Sequence, residues 1–199
     1  MWRTERPRTT IAAAVALALV MAACSTPSAP RAPSVTLVPS TAAGSSISPV
    51  DTALRPVGAT EVARVVRVVD GDTLIIDRGF GNERLRYIGM DTPESVKPGS
   101  PVEFMGKEAS AANAALVEGR EIVLERDVSE TDQYDRLLRY AWLREGDAWL
   151  MVNLELVRRG YAQVVTYPPD VRWIDELRDA ERAARDAGQG LWGPATPRP

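Results

Sequence analysis

The chain contains no histidine and only one cysteine, Cys24. Without histidine, Ser-His-Asp and Cys-His catalysis and histidine ligation of zinc are excluded. A lone cysteine excludes an internal disulfide. Lysine is nearly missing, since Lys97 and Lys107 stand against 22 arginines, and the net charge is -3. The chain therefore has no generally basic character, so recognition of a polyanion must come from a local array of arginines. The most apolar stretch, Ile11 to Ala23, has 13 residues, and a membrane-crossing helix needs about 20.

That stretch reads as a targeting segment. Arg3, Arg6 and Arg8 precede it, and the small residues Ala22 and Ala23 end it at Cys24. Val20-Met21-Ala22-Ala23-Cys24 resembles the lipobox of bacterial lipoproteins. The resemblance implies removal of residues 1–23 and acylation of Cys24, hence a membrane anchor without a transmembrane helix. The expected location is the cell envelope, facing outward or into the periplasm, or outside the cell. Removal would take away three arginines and one glutamate, so adhesion to anionic lipid by charge is not expected. Residues 24–59 carry six of the 15 prolines among serine, threonine and alanine and read as a disordered tether. At about 3.1 Å per residue such a chain reaches at most roughly 100 Å.

From residue 60 to about 193 the composition becomes globular, with 194–199 a tail and no internal repeat. Thr60–Val69, Thr73–Ile76 and Arg84–Ile88 read as three strands joined by turns at Asp70-Gly71 and Gly79–Asn82. Glu121–Glu125 and Leu137–Leu143 read as two more. Glu103–Glu118, Val152–Arg159 and Arg172–Ala187 read as helices, each followed by glycine. The expected fold is mainly β with helices (α+β), a five-stranded barrel of OB type with about three helices.

Asp70, Asp72, Asp91 and Glu94 cluster at the ends of the first strands. Each alone fits ordinary turn chemistry. Together they offer an incomplete oxygen site for a hard cation, calcium or magnesium, whose shell water and substrate must complete. Arg86 and Arg136 add planar donors that match phosphate oxygens. One difficulty stands out: Arg86 and Asp91 are five residues apart, so a regular strand would put them on opposite faces unless a bulge or the Gly89 turn re-aims Asp91.

Asp70-Gly71-Asp72-Thr73, Leu85-Arg86, Asp91-Thr92-Pro93-Glu94, Gly106–Ser110, Thr131–Arg136 and Val152–Gly160 occur in an order and spacing that resemble the staphylococcal nuclease family. The resemblance implies an OB-fold barrel and calcium-dependent cleavage of DNA and RNA; magnesium, which the oxygen donors alone also admit, is the expected substitute cation. It implies that Asp72, Asp91 and Thr92 hold the metal, the last through its carbonyl. It further implies that Arg86 and Arg136 bind the scissile phosphate, that Glu94 contacts the attacking water as general base, and that Tyr134 and Tyr167 contact the nucleotide. No protein partner is implied, and a monomer is expected. The chain departs from the family where a glycine usually precedes the second arginine: Asp135 stands there, in a position to pair with Arg136. The Tyr167-Pro168-Pro169 segment is also one residue shorter. Two other readings compete, a catalytically silent barrel that only binds nucleic acid or protein, and a calcium-stabilised envelope lipoprotein.

Overall fold

The computed structural model describes residues 54–95, 99 and 102–194. The leader, Cys24, the first part of the tether and the tail after 194 lie outside the described residues.

Among the described residues eight strands and three helices follow one another: β1 (Thr60–Asp70), β2 (Thr73–Asp77), β3 (Asn82–Tyr87), β4 (Met90–Asp91), α1 (Gly106–Val117), β5 (Glu121–Glu125), β6 (Leu137–Glu145), β7 (Ala148–Met151), α2 (Val152–Arg158), β8 (Gln163–Val164) and α3 (Ile174–Asp186). A 3-10 turn, Gly190–Trp192, ends the fold. The order β3-β2-β1-β5-β6 is antiparallel throughout, and a parallel β3–β6 pairing closes it into a five-stranded barrel. The expected barrel with three helices is therefore observed. Sequence reading passed over β4, β7 and β8, which are short; β7 folds back on β6 across the Gly146 turn, and β4 pairs with β8.

Alternation explains the barrel. Ala63, Val65, Leu74, Ile76, Leu85, Ile122, Leu124, Ala141 and Leu143 are all buried and form the core. Register shifts at Val65/Arg67 and Val68/Asp70 bend β1 strongly, as closure of a small barrel requires. α3 packs Leu177, Ala180 and Ala184 inward at helical spacing, as read from the sequence. α1 begins at Gly106 rather than near Glu103, because Met105 takes a left-handed backbone, φ 66°, and Phe104 stays exposed.

The domain also starts earlier than residue 60. Leu54 packs against the core, and the N–H groups of Val57 and Gly58 donate to Glu125 Oε1 at 3.1 and 2.8 Å. Glu125 is fully buried, and its Oε2 accepts the indole N–H of Trp142 and of Trp173 at 2.9 and 3.0 Å. Arg172 supplies the opposite charge at 3.0 Å. A buried carboxylate so completely hydrogen-bonded ties the entry segment, β5, β6 and the start of α3 together.

Candidate active site

The Asp70-Gly71-Asp72 turn between β1 and β2 is the base of the site. Asp72 is buried, at 1% exposure, and both of its carboxylate oxygens accept hydrogen bonds. Thr73 Oγ1 and Arg86 Nη1 donate to Oδ1 at 3.0 and 2.7 Å, while the N–H and hydroxyl of Thr92 donate to Oδ2 at 3.1 and 3.2 Å. Burial is the largest influence and holds the Asp72 carboxyl above its ordinary pKa, although Arg86 and the Thr92 N–H pull the other way. Thr92 can approach because residue 71 is glycine: a Cβ there would lie 2.6 to 2.8 Å from the Thr92 side chain.

Arg86, on β3 opposite Thr73, bridges two carboxylates. Its Nη1 donates to Asp72, and its Nη2 makes a short contact with Asp91 Oδ1. The difficulty over opposite faces is resolved by the backbone after β3. Gly89 has φ 81°, a region that L side chains rarely occupy. The chain turns there and Asp91 re-enters on β4. Asn153 at the head of α2 fixes that turn: its Nδ2 donates to Ile88 O at 3.0 Å and its Oδ1 accepts from Ala141 N at 2.9 Å.

Glu94 lies just beyond, half-buried. Its N–H donates to Glu103 Oε2 at 3.1 Å and its carbonyl accepts from Glu103 N at 3.0 Å. The Asp70 carboxyl has a raised pKa, chiefly from burial, with Asp72 and Glu94 adding to the rise against the opposing pull of Ser95 and the Gly71 N–H. Glu94 is thus brought to the same turn as Asp72.

Arg136 stands at the start of β6, which pairs in parallel with β3 through Leu85↔Leu137 and Arg86↔Leu138. Barrel closure therefore carries the second arginine to the first. Arg136 pairs with Asp132, not with Asp135: Nε and Nη2 reach Asp132 Oδ2 at 2.6 and 2.5 Å. Asp132 Oδ1 accepts the N–H of Tyr134 and of Arg136 at 2.8 and 3.1 Å, so one carboxylate shapes the loop and orients the guanidinium. Burial pushes the Asp132 carboxyl up, but the Arg136 side chain and these N–H groups outweigh it and hold the pKa below the ordinary value. Asp135 is exposed, with φ 60°, the left-handed conformation that glycine adopts without strain.

A cleft of about 470 Å³ opens beside this arrangement, lined by Arg86, Tyr134, Arg136, Tyr167, Gln133 and Asp170 among others. Both tyrosines expected at the nucleotide are on its walls and mostly exposed, at 69% and 71%. The Arg136 guanidinium lies 5.5 Å from the Tyr134 ring centroid. Asp170 braces the opposite wall by accepting the N–H of Val128 and Ser129 at 3.0 and 2.8 Å.

Sequence reading missed Asn113, Asp132, Asn153 and Asp170 as functional positions. Asn113, on α1 and fully buried, accepts from Tyr87 Oη at 3.0 Å and donates to Gly71 O at 3.1 Å, which pins the acidic turn. The one signal in the sequence was a polar side chain on the helix face that carries Ala109 and Leu116.

Residues 84–194, more than half of the chain, match the family model described as staphylococcal nuclease homologue. The chain belongs to the staphylococcal nuclease family. It is 40% identical over 128 residues to the thermonuclease of Staphylococcus intermedius and 37% identical over 129 residues to that of Staphylococcus hyicus. These matches cover 64% and 65% of the chain and 74% of each relative. Endonuclease YncB of Bacillus subtilis is 34% identical over 128 residues, covering 63% of the chain and 59% of the relative. For this member of the staphylococcal nuclease family, the matched segment holds Arg86, Asp91, Thr92, Glu94 and Arg136, while Asp72 lies upstream of it.

The donor set fits a hard cation. Asp72 and Asp91 converge on one cationic group, Arg86, with oxygen the only donor element. Among the described residues no group of three or more histidine, cysteine, aspartate or glutamate side chains is arranged to hold a metal. A cation here would rest on the two carboxylates and the Thr92 carbonyl and would need water or substrate oxygens as well.

Proposed function

We propose that this chain is a calcium-dependent nuclease that hydrolyses phosphodiester bonds of DNA and RNA, working outside the cytoplasm on a lipid anchor at Cys24. The observation that carries the reading is one cleft lined by both Arg86, held between Asp72 and Asp91, and Arg136, held by Asp132. Asp72, Asp91 and the Thr92 carbonyl would hold the calcium, which would supply positive charge for the phosphate and its attacking water.

Attack of water on phosphorus builds negative charge on the non-bridging oxygens. Arg86 has five N–H donors, and its carboxylate partners leave several of them for phosphate. Arg136 offers a second fork from the neighbouring strand, in the same cleft. Both are fixed before substrate arrives, so little reorganisation accompanies the charge build-up. Glu94 orients the water and accepts its proton as the water oxygen bonds to phosphorus and the bond to the 5′-oxygen breaks, the departing 5′-oxygen taking a proton from solvent. Tyr134 and Tyr167 provide faces for bases or sugars, at about 1 to 3 kcal/mol for each stacked base. The lipobox-like run and the proline-rich tether support the envelope location.

The test is cleavage of single- and double-stranded DNA and of RNA by the purified protein with calcium, with magnesium and with chelator. The reading expects cleavage with calcium that chelator stops; a folded sample that cuts nothing under any condition would sink it. Incorporation of labelled fatty acid in the producing cell, lost in Cys24→Ala, tests the anchor.

A further inference from the structure

Most arginines of the barrel domain are committed to carboxylates, from Arg78 on Glu61 and Glu83 to Arg172 on Glu125 and Asp127. Arg55, Arg64, Arg67 and Arg84 are different: all are exposed, and among the described residues none of their side chains makes an ion pair or hydrogen bond. Arg64 stands opposite Asp77 and Glu121 in the sheet, whereas Arg67 and Arg84 both stand opposite Ile75. They are also not independent of each other, because Arg67 on β1 pairs with Ile75 on β2, which pairs with Arg84 on β3. Directly opposed residues share a sheet face, here the outer one, since the neighbouring Leu74, Ile76 and Leu85 point into the core. With strands about 4.8 Å apart, the two backbones stand roughly 10 Å apart across a neutral isoleucine.

This pair continues the active site. Arg84 precedes Arg86 by two residues on the same face of β3, about 7 Å along the strand. One position upstream of the closing pair Leu85↔Leu137 stand Arg84 and Arg136, one on each strand. Arg136 and Arg86 are held by Asp132, Asp72 and Asp91; Arg84 and Arg67 carry uncompensated charge outward from them. In a domain whose overall charge is not positive, Arg67, Arg84 and Arg136 in a row across the strands, with Arg86 two residues further along β3, are the local array that polyanion recognition requires.

We propose that Arg84 and Arg67 form a track on the outer face of β1–β3 that binds backbone phosphates of the same nucleic-acid strand next to the one being cleaved. The inference rests on the nuclease reading. The ligand is a polynucleotide backbone, read without regard to base, because guanidiniums on a sheet face meet phosphates and present no base-shaped pocket.

The experiment compares wild type with Arg67→Gln/Arg84→Gln on a single-stranded oligonucleotide of twenty residues and on a dinucleotide, whose one phosphate cannot reach the track. Expected for the oligonucleotide is a KM rise of about fivefold to tenfold with kcat within twofold. The salt dependence of log kcat/KM should become shallower by about 0.7 for each phosphate that the variant no longer binds. The KM of the dinucleotide should stay within twofold, and Arg144→Gln, on the distant β6–β7 hairpin, should change neither substrate. An unchanged KM and salt slope for the oligonucleotide overturn the proposal. Loss of binding to phosphatidylglycerol vesicles with oligonucleotide KM unchanged also overturns it, in favour of a lipid surface. Fluorescence anisotropy of the labelled oligonucleotide in chelator tests the track without cleavage: weaker binding by the double variant supports it even if the wild type cuts nothing, and equal binding defeats it even if the wild type cuts well. Equal thermal unfolding of wild type and variant keeps either result from being a folding effect.

Discussion

Arg136 is held by Asp132, four residues before it, through contacts of 2.6 and 2.5 Å, while the adjacent Asp135 turns away into solvent. The departure from the family's glycine at 135 therefore changes a backbone preference and not the partner of the arginine. Asp135→Gly should leave cleavage within about twofold and shift stability by no more than about 1 kcal/mol, since aspartate tolerates the left-handed region. Asp132→Ala should lower kcat by tenfold or more by freeing Arg136. Steady-state kinetics of the two variants decide this, and a larger loss in Asp135→Gly would reverse the assignment.

The two arginines should fail in different ways. Arg136→Ala should cost about 3 to 4 kcal/mol in the barrier, the scale of a removed transition-state donor, with little change in thermal unfolding. Arg86→Ala should lose activity and also destabilise the fold by about 3 kcal/mol or more, because it strands the buried Asp72 carboxylate. Parallel unfolding and rate measurements separate the cases, and equal unfolding temperatures for both variants would contradict the bridging role of Arg86.

Asp72 makes apo stability depend on pH. Its folded pKa is raised by burial, so its contribution is fully favourable below the unfolded value, near 3.9 for an ordinary aspartate, and declines as pH rises through the folded value. On the proposed function, Asp72→Asn should abolish cleavage with calcium. Without metal it should gain on the wild type as pH climbs through and above the carboxylate range. Denaturant titrations at pH 4 and pH 8 read the difference, which should be larger at pH 8; a constant difference would count against it.

Gly89→Ala should damage both fold and site. The backbone has φ 81°, and an added Cβ would lie 2.5 Å from Leu177 Cδ1 on α3. The strained conformation alone costs about 1 kcal/mol or more, and relief of the clash moves the turn that aims Asp91 at Arg86. A lowered unfolding temperature with weakened calcium affinity is expected from calorimetry; normal calcium affinity would show that Asp91 is aimed by something else.

Much of this molecule was legible along the chain. Alternation in Thr60–Val69 and Thr73–Ile76, helical spacing in Leu177, Ala180 and Ala184, and glycines after each helix are local signals, so they placed the barrel strands and helices within a few residues. Asp72, Asp91, Glu94, Arg86 and Arg136 stood out as a cluster of carboxylates and guanidiniums near the strand ends, each ordinary alone, and the resemblance to the staphylococcal nuclease family supplied their roles and that of Thr92.

Other features depended on contacts that the sequence does not encode at short range. Whether Asp91 could meet Arg86 turned on one positive φ at Gly89 and on Asn153, 65 residues from Ile88. The choice of Asp132 over Asp135 was set by backbone direction, to which side-chain identity is blind. Arg136 comes to the same cleft as Arg86, and Arg67 lines up with Arg84, only through strand pairing. Residue types and local periodicity determined the chemistry open to this protein and the elements that carry it; barrel closure, which joins residues distant in sequence, decided which of those charges are paired and which are left to meet a ligand.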